Sequence, residues 1–158
     1  MAGLAPGAAV SGSSCADGLL LVQGPLGLNW ERRKWGLFPR LENGELTGLN
    51  PPRPDRLRVW LRLGVHVLGR PEWVFIKLHT HGGIPQNAAA LLGDPMRRFL
   101  AHVSREYNDG SRYRLHFVSA REMVNIIHAA EDGQVGDPGR FRDYRYASRL
   151  NRAALRMK

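Results

Sequence analysis

The sequence has very little cysteine and no long apolar run. Cys15 is the single cysteine among 158 residues, which excludes an intrachain disulfide and a cysteine-based zinc site. No stretch approaches the ~18 consecutive apolar residues that a membrane helix needs, so we expect no membrane span. The N-terminal residues lack the basic start and unbroken apolar core of a signal peptide. We therefore expect a cytoplasmic protein.

Lysine is also scarce. The formal net charge of +9 is of a size that nucleic-acid-binding proteins often show. Only three of the 23 basic residues are lysine, so 20 are arginine. These arginines are scattered and lack the aromatic interleaving of a single-strand binding platform. Together with abundant Ala, Gly and Pro, they are typical of a GC-rich genome, and we predict no nucleic-acid partner.

Several catalytic signatures are absent from the sequence. It contains no His-Glu-x-x-His helix, no phosphate loop of the Walker type and no Gly-x-Ser-x-Gly elbow. No pair of acidic residues ends a predicted strand, so a glycosidase dyad is not indicated. The site must therefore be sought among other residue types.

Three amphipathic helices are predicted from apolar spacing and capping residues, near 56–68, 95–108 and 120–132. Asp55 and Asp94 are the expected N-caps of the first two, and Ser119 with Glu122 forms a capping box for the third. On the first helix the arginines are expected outside the apolar stripe; they are Arg56, Arg58 and Arg62.

Three strands alternate with these helices, near residues 19–23, 73–79 and 113–118. Alternation with short links predicts a parallel sheet and an α/β fold. The stretch 29–54 is expected to be an irregular loop, and 141–146 an edge strand. A helix is also predicted over 87–92.

The domain organisation follows from composition. Residues 1–17 are expected to be a disordered leader, 18–146 an α/β domain and 147–158 a basic tail. The first strand has no predicted neighbour upstream, which indicates that the fold is incomplete. An open sheet edge would make the chain prone to form oligomers.

The candidate site lies in the stretch from Trp73 to Gly83. Read with a period of two, one face is apolar, and the other turns polar at Lys77, His79 and His81. Polar groups at the C-terminal end of a buried strand are where α/β proteins place their chemistry. His79 is a candidate general acid or base, and Lys77 or His81 a candidate ligand for an anionic or carbonyl oxygen.

Other residues are candidate substrate contacts. In a parallel sheet His116 would converge with the two histidines at one edge, and Asn125 would lie on the helix that starts there. Trp30 and Trp35 either line a sugar-binding groove or anchor their loop to the body of the protein.

Three runs of the sequence resemble the C-terminal portion of bacterial proteins similar to polysaccharide deacetylases. These runs are 73–82, 113–123 and 23–26, and the resemblance covers roughly residues 19–146. It implies part of an irregular (β/α) barrel that removes acyl groups from cell-surface polysaccharide with a divalent metal. In that family a Leu-x-His supplies the general acid, which Leu78 and His79 match loosely.

The chain departs from that family at the metal site. The early Asp-Asp pair and the His-x-x-x-His motif do not occur. Either the metal-binding half lies outside this chain, leaving it inactive alone, or the chain is a non-catalytic relative. The metal would then be bound mainly by residues that the chain does not contain.

Two alternatives remain open. His79 and His81 resemble the His-x-His pair of metal-dependent amidohydrolases, with His116 as a third ligand. A non-catalytic carbohydrate-binding or structural domain would instead use Trp30, Trp35 and Tyr144 as contacts.

Overall fold

Residues 20–146 are described by the computed structural model of this protein. The predicted leader and the predicted basic tail lie outside these residues. The described chain divides into two units, each with its own apolar core. Gln23–Val65 and Ile76–Leu115 form the first unit, and 20–22, His66–Phe75 and 116–146 form the second.

A β-hairpin begins the first unit. Its antiparallel strands are β1 (Leu26–Lys34) and β2 (Phe38–Asn43). The prediction of an irregular loop over 29–54 is therefore wrong. The most buried positions of these strands carry polar side chains, Asn29 and Glu42, while the leucines on the strands are exposed. A search for an apolar buried face cannot find such a hairpin.

Three helices follow in the first unit: α1 (Pro54–Leu63), α2 (Pro85–Leu92) and α3 (Asp94–Glu106). Each has a proline in its first turn. The amides of the first turn have no carbonyl partner within the helix, so the missing N–H of proline costs no helical hydrogen bond there. The core that they share with a residue after the hairpin consists of Leu46, Leu57, Trp60, Phe99 and Val103.

Two details of these helices differ from the prediction. The N-caps are Arg53 and Gly93. The expected caps, Asp55 and Asp94, lie inside the first turn of α1 and α3 instead. The first helix stops at Gly64, whose φ of 54° is in the left-handed region. A glycine there ends a helix at low steric cost, which is why α1 is shorter than predicted.

Arg56 is the main correction to the predicted packing. It was expected outside the stripe, but it is fully buried, and so is Glu42. Its Nε donates a hydrogen bond of 2.6 Å to Oε1 of Glu42. Arg56 lies four residues before the buried Trp60, on the same face of α1, so that the helix buries a wider arc than its apolar residues indicate.

The rest of the Arg56 guanidinium binds backbone carbonyls. Nη1 donates to the carbonyls of Asn50 at 2.6 Å and Pro51 at 3.1 Å. Nη2 donates to those of Asn43 at 3.1 Å and Glu45 at 2.7 Å. Burial lowers the pKa of this guanidinium despite its carboxylate partner, but an arginine stays charged in proteins. One cation therefore fixes the whole connection between β2 and α1.

Asn29 links this ion pair to a second carboxylate. Its Nδ2 donates to Asp55 Oδ2 at 3.1 Å and to Glu42 Oε2 at 3.4 Å. Burial raises the pKa of Asp55, but hydrogen bonds from Arg53 and Asn29 outweigh it, so that the pKa lies below its ordinary value. The hairpin is thus joined to α1 through polar contacts.

The second unit is built around α4 (Ala120–Glu131). The predicted capping box is confirmed: Ser119 Oγ accepts from the amide of Glu122, whose carboxylate accepts from the amide of Ser119 at 2.7 Å. These bonds lower the pKa of Glu122. The core of this unit consists of Trp73, Ile126, Ala129 and Ala130, with Phe141 and Tyr144 packed against it.

The predicted edge strand over 141–146 is wrong. A 3₁₀ helix covers Pro138–Phe141 and a turn follows it. Its N-cap is Asp137, whose side chain accepts from the amide of Gly139 at 2.8 Å. Phe141 and Tyr144, three residues apart, both pack against the core that α4 forms with Trp73.

Within residues 20–146 the fold is mixed α/β, and its one sheet is the two-stranded antiparallel hairpin. The strands predicted over the described part of 19–23, over 73–79 and over 113–118 are not formed as ladders. The amides of Tyr113 and Leu115 are bound instead by the side chains of Asp109 and Asn108. None of the helices in this part of the chain has the length and apolarity that crossing a bilayer requires.

We predict that Arg56→Met lowers the free energy of unfolding by about 3–5 kcal/mol, because it leaves Glu42 buried without a counter-charge. Urea unfolding followed by circular dichroism measures the change. Arg58→Met is the matched control: Arg58 pairs with Glu31 on the surface, where such pairs contribute about 0–1 kcal/mol. Equal losses of stability in the two variants would contradict the claim that the buried pair of Arg56 and Glu42 matters more than a surface pair. The double variant Glu42→Met, Arg56→Met should recover part of the loss.

Candidate functional site

The segment from Ile76 to His81 keeps the alternation seen in the sequence. Ile76 and Leu78 pack on the core of the first unit, and the hydroxyl oxygen of Thr80 is buried. The residues between them are the polar candidates: Lys77 is half-buried, and His79 and His81 are exposed. The three side chains therefore share the more exposed side of an extended segment.

Two hydrogen bonds hold the backbone of His79. Its amide donates to the carbonyl of Gly44 at 3.0 Å, and its carbonyl accepts from the amide of Leu46 at 2.8 Å. The two hydrogen bonds form a single parallel bridge between Glu45 and His79. The bridge is parallel, but its partner Glu45 lies in the stretch 29–54 and not in one of the predicted strands.

Gly44 permits the close approach on which the bridge depends. A Cβ atom at this position would lie 2.5 Å from the carbonyl oxygen of Lys77, well inside the normal contact distance. The same carbonyl also lies near Gly24, where an added Cβ would be 3.2 Å away. Two glycines therefore make room for the backbone at Lys77.

Asn87 fixes the other end of the segment. It is 5% exposed, and its Nδ2 donates to the carbonyl of His81 at 3.2 Å. Its Oδ1 accepts from the amide of Gly48 at 2.9 Å. A buried amide thus ties the histidine segment to the connection that Arg56 organises, and the positions of both histidines are set by fixed backbone.

The polar side chains of this segment are unpaired within residues 20–146. No described residue makes a hydrogen bond or ion pair with the side chains of Lys77, His79 or His81, and Thr80 Oγ1 is buried without a hydrogen bond. The Thr80 hydroxyl lies on the core-facing side of the segment, so it is separate from the two exposed imidazoles. The arrangement offers donors and acceptors to a group outside the described chain.

His116 lies in the second unit and has a local partner. Its Nε2 is 3.2 Å from Asp137 Oδ1, close enough for an ion pair when the imidazole is protonated, although the angle is not that of a hydrogen bond. The ring lies against Gly139, where an added Cβ would come within 2.9 Å of it. The expected convergence of His116 with His79 and His81 stays a prediction.

The other predicted contacts are distributed over both units. Trp30 and Trp35 lie on β1 and in the turn after it, and both are exposed, so that neither anchors the hairpin to the core. Asn125 lies on α4 in the second unit, and its Nδ2 donates to the carbonyl of Arg142 at 2.6 Å. That bond gives Asn125 a structural role in joining α4 to the segment after the 3₁₀ helix.

The described residues offer few ligands for a metal ion. Within 20–146, no group of three or more His, Cys, Asp or Glu side chains is placed to hold a metal ion. His79 and His81 alone supply at most two ligands, whereas a catalytic zinc site uses three. The described residues therefore do not fit the divalent metal that the family resemblance implies.

Comparisons of the chain with models of protein families, with curated proteins and with solved structures found no match.

The residues that position this site were not recognised in the sequence. The sequence predicts only a helix start at Asn87 and no contact for Gly44. Their signals are weak: a glycine between Asn43 and Glu45, and an asparagine two residues after Pro85. Both roles depend on contacts between residues that are more than 30 positions apart in the sequence, and a local sequence pattern does not indicate such contacts.

We predict that Gly44→Ala lowers the free energy of unfolding by about 1–3 kcal/mol, because the added methyl group overlaps the Lys77 carbonyl and the bridge must shift. Gly82→Ala is the matched control, since a Cβ there meets no atom within 4 Å. Its effect should stay within about 0.5 kcal/mol. Thermal unfolding of the two variants side by side measures the difference, and equal melting temperatures would show that the close approach is unimportant.

Proposed function

We propose that this chain is the C-terminal part of a carbohydrate deacetylase-like hydrolase that acts on surface polysaccharide, with His79 as its general acid. The observation that carries the proposal is the contrast at His79. Its backbone is fixed by two hydrogen bonds, whereas its imidazole is exposed and unpaired among residues 20–146. A side chain that is unpaired and projects from a fixed backbone is available to react with an external group.

The chemistry needs a proton donor at the leaving group. When an acyl group is removed from an amino sugar or a sugar hydroxyl, the departing nitrogen or oxygen must be protonated. An imidazole titrates near neutral pH and can supply that proton. In this proposal His79 donates the proton through a ring nitrogen, and Lys77 and His81 bind the anionic or carbonyl oxygen of the substrate.

Lys77 supports the proposal through its surroundings. It is half-buried, and no acidic side chain of residues 20–146 pairs with it. A partly buried ammonium without a counter-charge is unfavourable, so a substrate oxygen or an acid from elsewhere would stabilise it. In the proposal Trp30, Trp35, His116 and Asn125 remain candidate contacts for the sugar chain.

The metal-binding half belongs, in this proposal, to a part of the protein outside this chain. A divalent metal would activate the attacking water in the related deacetylases, and the residues described here do not form its site. The chain alone is then inactive. The segments 73–79 and 113–118 would become parallel strands of a (β/α) barrel when that half supplies their neighbours.

The alternatives predict different observations. An amidohydrolase-like enzyme would hold a stoichiometric metal through His79 and His81 and would act without another half. A carbohydrate-binding domain would bind polysaccharide through Trp30 and Trp35 and would release no acetate. Metal content after purification and acetate release from acetylated polysaccharide therefore separate the three.

We predict that His79→Ala lowers acetate release from acetylated polysaccharide by about 10²–10⁴-fold, the usual effect of removing a positioned acid or base. The assay uses this chain together with the metal-binding half that the proposal requires. His102→Ala on α3 is the matched control and should keep full activity. The proposal fails if His79→Ala is as active as the control, or if the chain alone is active and holds a stoichiometric metal.

A further inference from the structure

The turn of the β-hairpin carries large apolar side chains into solvent. Trp35, Leu37 and Phe38 are 78%, 73% and 61% exposed. Gly36 between them is also open, since an added Cβ would meet nothing within 4 Å. We call residues 34–38 the hairpin tip. Three exposed apolar side chains within four residues concentrate apolar surface at one point, and such concentrations mark interaction sites.

The backbone at the tip favours a function for Trp35 beyond stability. Trp35 and Gly36 have φ angles of 53° and 74°, and the amide of Leu37 donates to the carbonyl of Lys34 at 3.3 Å, as in a type I′ turn. Such a turn favours Asn or Gly at its first central position. A tryptophan in the left-handed region is unfavourable, and strain of this kind is concentrated at functional sites.

Basic side chains surround the apolar tip. Arg33 and Lys34 are exposed, Arg32 and Arg40 are half-buried, and these four line one groove with Phe38 and Leu41. Lys34 Nζ lies 4.5 Å from the centre of the Trp35 ring. The acid on the same strand, Glu31, is paired with Arg58, so the tip itself has a strong positive charge.

We propose that the hairpin tip inserts into the interfacial layer of an anionic lipid bilayer and docks the protein on the membrane surface. Tryptophan prefers the headgroup level, a leucine and a phenylalanine enter the acyl boundary, and arginine and lysine bind lipid phosphates. This combination of apolar insertion with flanking cations matches what surface anchoring requires.

The chemistry of the tip favours a bilayer over an acidic polysaccharide. Sugars stack on flat aromatic faces, but Leu37 at the tip is aliphatic and offers no such face. This proposal assigns Trp35 to the bilayer and not to the sugar chain, and it does not otherwise depend on the deacetylase proposal.

Co-flotation of the full chain with vesicles tests the proposal. We expect binding to vesicles of phosphatidylcholine with 30% phosphatidylglycerol at least about tenfold stronger than to phosphatidylcholine alone. Trp35→Ser with Leu37→Ser should lower that binding by at least about tenfold, and Arg33→Glu with Lys34→Glu should abolish the preference for the anionic lipid. Quenching by brominated lipid should occur in the wild type and be much weaker in Trp35→Phe.

The matched control changes the same residue types elsewhere in the first unit. Leu92 is 85% exposed, and Arg97 is exposed on α3, so Leu92→Ser with Arg97→Glu should bind vesicles nearly as the wild type does. Equal losses in the tip and control variants would overturn the proposal. So would vesicle binding without quenching of Trp35, or an acidic polysaccharide that binds the tip and leaves the vesicles unbound.

Discussion

The buried ion pair between Arg56 and Glu42 is the interaction on which the first unit depends. Both side chains are withdrawn from water, and the guanidinium also binds four backbone carbonyls of the connection between β2 and α1. A buried pair adds little net stability when compared with apolar residues of the same shape, but losing one partner is costly. Its effect is to allow one conformation of that connection and to disfavour the others.

The histidine segment inherits its position from this pair. Arg56 holds the carbonyls of Asn43 and Glu45, which flank Gly44, and Gly44 and Leu46 make the bridge to His79. The order of dependence therefore runs from a buried charge to a fixed loop and from the loop to an exposed imidazole. A fixed backbone beneath an unpaired side chain is the property that the proposed acid needs.

The hairpin combines a polar interior with an apolar exterior. Asn29 and Glu42 face the ion-pair network, while Trp35, Leu37 and Phe38 face solvent. In most hairpins the apolar side chains are buried and the polar ones are exposed. Here the polar network occupies the buried positions, so the apolar side chains of the hairpin lie in solvent. This inversion supplies the surface that we propose for membrane docking.

The helices could be predicted from the sequence because their signals are local. The capping box at Ser119 and the prolines at the helix starts act within one turn of the chain. The hairpin and the burial of Arg56 could not be predicted in this way, since they depend on charge pairs between residues far apart. The alternation around His79 was predictable, but its backbone partners were not.

The most direct measurement is amide hydrogen exchange in the variant Glu42→Gln, which leaves Arg56 buried without its counter-charge. If the ion pair holds the loop and the loop holds the histidine segment, the amides of Leu46 and His79 should lose protection together, by at least about tenfold. The amide of Met123 in α4, which donates to the carbonyl of Ser119, serves as the reference and should change less. Exchange of Leu46 and His79 at the wild-type rate in this variant would contradict the account.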